Sequence, residues 1–294
     1  MNPAPPTRKR NLACLFCGQV HRPKSVYARA AATDEDIVPK WLQKYLGIQA
    51  SLVTPMLVRS EDLTLLDVRQ HVVAAFKTGG VCAGCNGGWM SDLENAVKPI
   101  LTALIDGTRA FPDLGQSEFR VLARWTMKTV AALNRSSSYA NREDEIARRI
   151  PDEHLRALSA GDLPHGTLVV GTLCDAYEKQ FDFLQFARWG NPKNSIPLTE
   201  QHRSRSYKIA LSFGRLILIA AYYPSDDYAY GLNMKGCFPI WSGRRVVPFN
   251  NIWDDSESKS LSPLLEVPMR NIWVVSNIWL QLVENMAFTR LVQP

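Results

Sequence analysis

Four cysteines stand in two pairs of identical spacing, Cys14-Leu-Phe-Cys17 and Cys82-Ala-Gly-Cys85. A thiolate is a soft anionic ligand, and four of them complete the closed tetrahedral shell of a structural Zn²⁺ ion. Each pair supplies two ligands from one tight turn, and Gly18 and Gly84 give those turns conformational freedom. The pairs are separated by 64 residues, where a compact zinc ribbon uses about 15–20. The competing reading is four unrelated buried cysteines. A redox role is weak, because neither pair sits in a βαβ pattern. Cys174 and Cys237 stand alone and are expected as small buried apolar residues.

Two segments flank these pairs: Thr33-Asp-Glu-Asp-Ile-Val-Pro-Lys-Trp-Leu42, and Asn86-Gly-Gly-Trp-Met-Ser-Asp-Leu-Glu94 immediately after Cys85. Without the cysteines, Asp34-Glu35-Asp36 reads as a solvated acidic turn and Asn86 as a cap or turn residue. Ser91 and Glu94 form a Ser-x-x-Glu capping box, and Trp41 and Trp89 are expected in the core. With the cysteines, residues 13–105, about a third of the chain, resemble the zinc-stabilised HNH (His-Me finger) endonucleases. The resemblance is closest to bacterial proteins with a Glu-His-Ile-x-Pro-x-Trp segment and a Cys-x-x-Cys-Asn-x-Gly-Trp-Met-x-x-Leu-Glu segment.

That resemblance implies a ββα finger with Cys14, Cys17, Cys82 and Cys85 on structural zinc. It implies Glu35 and Asn86 as ligands of a catalytic Mg²⁺ or Mn²⁺, since hard cations take oxygen donors. Such a metal offsets the charge that develops on a phosphodiester, so the implied activity is metal-dependent hydrolysis of nucleic acid, with double-stranded DNA the first expectation. One position departs from the family pattern: Asp36 stands where the family has its general-base histidine. An ordinary carboxylate is a weaker base than imidazole by about 2.6 pKa units, which slows proton transfer. Three alternatives stay open. Asp36 orients or deprotonates water; His21 or His71 substitutes; or the site is degenerate and the module binds nucleic acid or a partner without cutting.

Charge supports an anionic partner. The 294 residues carry 34 Lys and Arg against 28 Asp and Glu, a net +6. Arg8, Lys9, Arg10, Arg22, Lys24 and Arg29 lie in the first 30 residues with no acid among them, so they account for the whole excess. They are the expected phosphate contacts, positioning nucleic acid without reading its sequence. The bland reading of residues 1–10 is a basic tail. The 46% hydrophobic content excludes wholesale disorder, and nothing is long and apolar enough to be expected in a membrane. Paired cysteines left for metal suit a reducing, cytoplasmic setting.

The elements that must position these groups follow from periodicity. Residues 1–12 form a basic lead, 13–110 the zinc module and 111–294 a mixed domain of unassigned role. Leu93, Val97, Ile100, Leu101 and Leu104 predict a helix after Ser91, kinked at Pro99. A second helix is expected over Ser117–Asn134 and a charged one near 142–160. Strands are expected at Thr167–Leu173, Phe181–Trp189, Tyr207–Phe213 and Leu216–Tyr223, with a hairpin at Gly214-Arg215. Residues 254–262 read as a polar loop, and 270–292 as a C-terminal amphipathic helix whose aromatic stripe serves the core or, less simply, a homodimer or partner contact. The expected class is α+β: a zinc-bound finger, then helices, then an antiparallel β-rich region closed by a helix.

Overall fold

The computed structural model describes residues 13–20, 32–53, 56–58, 65–68, 70–136, 150–173, 180–186, 205–224, 228–232, 238–244, 246–248 and 286–290. The architecture is mixed helix and sheet with mostly antiparallel pairing. Strand β1 (Ala32–Asp36) leads through helix α1 (Lys40–Leu46) into four short strands: β2 (Leu52–Val53), β3 (Met56–Val58), β4 (Leu65–Val68) and β5 (His71–Val72). Strand β6 (Lys77–Cys82) then returns antiparallel to β1, with Ala32 opposite Cys82 and Asp36 opposite Lys77. A helical turn α2 (Ala83–Cys85) and a kinked segment over Asn86–Met90, non-helical at Gly88, lead into helix α3 (Ser91–Asp106).

Helix α4 (Gln116–Ser136) is the central strut. Its residues from Leu122 to Asn134 are almost all buried, and it packs on α3 and β6 as well as on the sheet and helix α5 (Asp152–Ala160). The sheet is formed by β7 (Thr167–Leu173), β8 (Phe181–Phe186), β9 (Tyr207–Phe213), β10 (Leu216–Tyr222) and β12 (Phe238–Ser242), in the order β12-β7-β10-β9-β8. The β9–β10 hairpin turns at Gly214, whose φ of 58° suits a residue without Cβ. Strand β11 (Tyr228–Leu232) lies between β13 (Val246–Pro248), its parallel neighbour, and β14 (Met286–Arg290), its antiparallel one.

One apolar core includes Cys14, Val81 and Leu101 from the cysteine-bearing half and Trp125, Ile209 and Ile240 from the remainder. It runs across the boundary expected after residue 110. Trp125 stacks obliquely on Phe213 at 5.5 Å, and Phe76 on Phe183 at 5.6 Å, so both α4 and the segment leading into β6 lean on the sheet. Gly171 has no room for a side chain, since a Cβ there would lie 2.3 Å from Phe111 Cζ.

Several expectations change. The acidic Asp34–Asp36 segment is strand rather than solvated turn, because alternation along β1 carries Glu35 inward. The Ser91–Glu94 capping box does not form: the backbone kinks at Gly88 (φ −103°, ψ −117°) and Met90 and Ser91 are already helical beyond it, so Ser91 is not at a free helix end and no side chain caps the helix from Met90. Pro99 lies inside α3, which continues to Asp106. The C-terminal helix over 270–292 is contradicted at Met286–Arg290, which pair with β11 as a strand. The rest of that segment from 270 to 285 lies outside the described residues, as do the polar loop at 254–262, residues 137–149 and the single cysteines Cys174 and Cys237. Among the described residues, no helix is long and apolar enough to cross a membrane.

Candidate metal centre and the acidic strand beside it

The four cysteines converge. Their sulfur atoms all lie within 4.8 Å of one another, with Cys14 and Cys85 at 3.9 Å and Cys17 and Cys82 at 3.7 Å. A tetrahedron built on Zn–S bonds of about 2.3 Å has edges of about 3.8 Å, so the spacing suits a metal ion of that size. Backbone amides complete the shell: Cys82 N–H donates to Cys14 Sγ at 3.3 Å, and Cys85 N–H to Cys82 Sγ at 3.4 Å. Hydrogen bonding from Cys85 holds the Cys14 thiol down to about 4, while the same bond pushes Cys85 up and burial does so for Cys82. Four thiolates cannot share so small a volume without a cation. The cluster can therefore hold a metal ion, and its four-sulfur shell is consistent with structural zinc.

Local geometry explains how pairs so far apart in sequence meet. On β6, three steps from Val81 to Thr78 match two on β1 from Thr33 to Glu35, a bulge accommodated by Gly80 at φ +80°. The Gly80 carbonyl accepts from Leu15 N–H at 2.9 Å, which fastens the first knuckle to the strand bearing the second. Gly18 takes φ +74° as the first turn closes, whereas Gly84 lies within the short helical turn α2 and needs no special backbone angle. Arg156 of α5 caps this knuckle, donating through one nitrogen to the carbonyls of Cys14, Leu15 and Phe16 at 3.2, 3.0 and 2.6 Å. Trp89 meets Phe16 edge-on at 5.5 Å, with the Arg124 guanidinium 5.0 Å from its ring centre. Trp41 and Trp89 are partly buried against the core rather than within it.

Asn86 follows the last cysteine directly and reaches back to β1. Its side-chain amide donates to Thr33 Oγ1 at 3.0 Å and to the Asp34 carbonyl at 3.2 Å, leaving its own carbonyl oxygen outside both bonds. Thr33 Oγ1 donates in turn to the Val81 carbonyl at 3.0 Å. The helix entry, the acidic strand and the bulged strand are thus joined at one point.

Glu35, Asp36 and Asn86 each engage a different partner. Glu35 is buried, and its Oε1 accepts from Lys128 Nζ at 2.6 Å. The same ammonium donates to Glu94 Oε1 at 2.8 Å. Burial raises the Glu35 carboxyl, and the Lys128 charge only partly offsets it. Burial alone would depress Lys128, but the charges of Glu35 and then Glu94 outweigh it and hold the ammonium protonated. Asp36 instead pairs with Lys77, directly opposite on β6, at 3.4 Å. His71 stacks on Phe76 at 5.7 Å. His21 and the basic residues Arg8, Lys9, Arg10, Arg22, Lys24 and Arg29 lie outside the described residues.

Sequence reasoning missed Lys128 and misassigned Glu94. A signal was present. Lys128 falls three residues after Trp125 and three before Ala131, at helical spacing on an apolar stripe where a cation must find a buried acid.

No family model, no curated protein and no solved structure matches this chain.

Proposed function

We propose that the chain is a metal-dependent endonuclease of HNH type, hydrolysing phosphodiester bonds in DNA, with Cys14, Cys17, Cys82 and Cys85 on structural Zn²⁺. The observation that carries this is the Asn86 bridge, which ties the segment leading into α3 to the acidic strand, at the Thr33 hydroxyl and the Asp34 carbonyl, directly after the last cysteine. In this reading the sulfur cluster is a clip that makes the ββα arrangement rigid.

The donor set suits a hard cation. Asn86 has a carbonyl oxygen outside its two donor bonds, and Lys128 engages Glu35 through one carboxylate oxygen, leaving the other outside that pair. Glu35 and Asn86 would hold Mg²⁺ or Mn²⁺, which when bound offsets charge on the phosphate and its leaving oxygen. Asp36 orients the attacking water and accepts its proton, while Lys77 fixes that carboxylate. The six basic residues near the N-terminus bind phosphates. A reducing, cytoplasmic setting keeps the thiols free for zinc.

A second reading, a zinc-stabilised binding module without cleavage, is favoured by one observation: Lys128 and Lys77 already match the charges of Glu35 and Asp36. One assay separates the two. Zinc-loaded protein is incubated with supercoiled plasmid and Mg²⁺ or Mn²⁺, beside Glu35→Ala, Asp36→Ala and Asn86→Ala. Nicking that needs the metal and is lost in Glu35→Ala or Asn86→Ala supports the nuclease. Salt-sensitive DNA binding with no nicking in any metal supports the binding module, and cleavage of structured RNA with plasmid left intact would overturn the DNA assignment.

A further inference from the structure

A lysine with a fully buried side chain demands explanation, because an ammonium taken out of water is strongly destabilising unless it is matched. Lys128 is matched twice, and its partners come from separate elements: Glu35 from β1 and Glu94 from α3, with Lys128 itself on α4. A single carboxylate would neutralise it. The second leaves the cluster with one net negative charge, held where Glu35 is nearly inaccessible and Glu94 partly exposed.

We propose that Lys128 is the positioning residue of the cation site described above, an inference that rests on the nuclease reading: its ammonium pins one oxygen of Glu35 and cancels one of the two acid charges, so that the site offers a fixed carboxylate oxygen and a net charge of −1. Lys128 touches neither cation nor substrate in this scheme. It acts through Glu35. Two consequences have opposite sign. Without the ammonium, two facing carboxylates attract a divalent cation more strongly. The same loss frees Glu35 to move toward that cation and away from the geometry that turnover requires. A purely architectural lysine would instead lower cation binding and turnover together.

The test uses the full-length, zinc-loaded protein and Mn²⁺ as the probe, with free Mn²⁺ counted by electron paramagnetic resonance and plasmid nicking followed at saturating Mn²⁺. Lys128→Met is expected to tighten Mn²⁺ binding about tenfold, as one more unit of negative charge nearby would. Its kcat is expected to fall about a hundredfold, as misplacement of a ligand would cause. Since Lys128→Met leaves the buried Glu35 and the partly exposed Glu94 facing one another and threatens folding, the double variant Lys128→Met with Glu94→Gln is run in parallel. That variant keeps the net charge at −1, so its Mn²⁺ affinity should stay within about threefold of wild type while kcat remains about a hundredfold down. Wild-type kcat in the double variant overturns the positioning role and leaves the nuclease reading intact. So does a parallel fall of kcat and Mn²⁺ affinity. Absence of Mn²⁺ binding and nicking in the wild-type protein overturns the nuclease reading and the positioning role with it.

Discussion

The cysteine cluster and the Glu35–Lys128–Glu94 cluster each take one member from the β1–β6 pair, Cys82 and Glu35, yet they assemble charge by opposite means. In the first, four soft anionic donors from two short turns surround a volume that fits a metal ion. In the second, two carboxylates enclose an ammonium that the chain supplies itself, from 93 residues beyond Glu35. A metal-closed cluster depends on an outside ion and is written in local spacing. An ammonium-closed cluster is complete at folding and depends on where distant helices pack. The difference shows why one motif was visible in sequence while its neighbour, equally buried and equally polar, was not.

The contrast is best broken at its metal-dependent side. Cys82→Ser or Cys85→Ser should abolish zinc binding. Structural zinc contributes on the order of 10 kcal/mol or more, comparable with the whole stability of a domain, so the β1–β6 pair should unfold. Zinc stoichiometry near one per chain in the wild type, falling to zero in the variants with loss of cooperative melting, is the expected result. Prolonged chelation should mimic it. A folded, zinc-free wild type would contradict the assignment.

Lys128→Met probes the other side and should be indifferent to zinc supply. The buried Glu35 left without its cation should cost about 3–5 kcal/mol, measured by denaturant unfolding at saturating zinc. If zinc supply rescued that loss, the two clusters would be one cooperative unit rather than two.

A third solution to buried polarity gives a smaller, pH-dependent effect. His154 is buried, with Nδ1 2.9 Å from the Tyr207 hydroxyl and its ring 4.4 Å from that of Tyr222. Burial depresses its pKa from 6.5 to about 4. The unfolded chain therefore binds the extra proton between these values, so this residue's contribution is complete above pH 6.5 and is lost as pH falls toward 4. The loss approaches about 1.4 kcal/mol per pH unit within that window. His154→Phe should flatten the slope of stability against pH there, and an unchanged slope would count against a neutral buried imidazole.

The smallest expected effect joins the two halves of the chain. Arg156→Ala removes three donor contacts to the knuckle carbonyls from an exposed side chain and should cost about 1–2 kcal/mol. Faster zinc loss to a chelator should accompany it, with the Glu35 cluster unaffected.

Much of the framework was visible in advance for reasons that are local. Strands β7 and β9 and the Gly214 turn follow from alternating or continuous apolar runs bounded by turn residues, and α4 extends only a residue or two beyond its expected ends. Those patterns reflect burial of consecutive or periodically spaced residues, which neighbours in sequence report faithfully. The failures have local causes as well. An apolar run containing Met286–Arg290 has the composition of a helix or a strand, and only pairing with β11 decided for strand. Ser91 and Glu94 carry the spacing of a capping box, but the backbone is already helical at Met90, just past the kink at Gly88, so Ser91 is not the free end.

By itself the sequence determined the four-sulfur set and the segment that follows it, because ligand type and knuckle spacing are fixed by covalent geometry over a few residues. It determined that Asn86 enters the helix directly after the second pair. Only the tertiary structure decided that Glu35 engages Lys128 while Asp36 engages Lys77, since each carboxylate takes the cation that packing delivers to it. Nothing within a few residues of Glu35 names its partner. The energy that selects Lys128 is the cost of an unmatched buried charge, and that cost exists only once α4 has closed over β1 and α3.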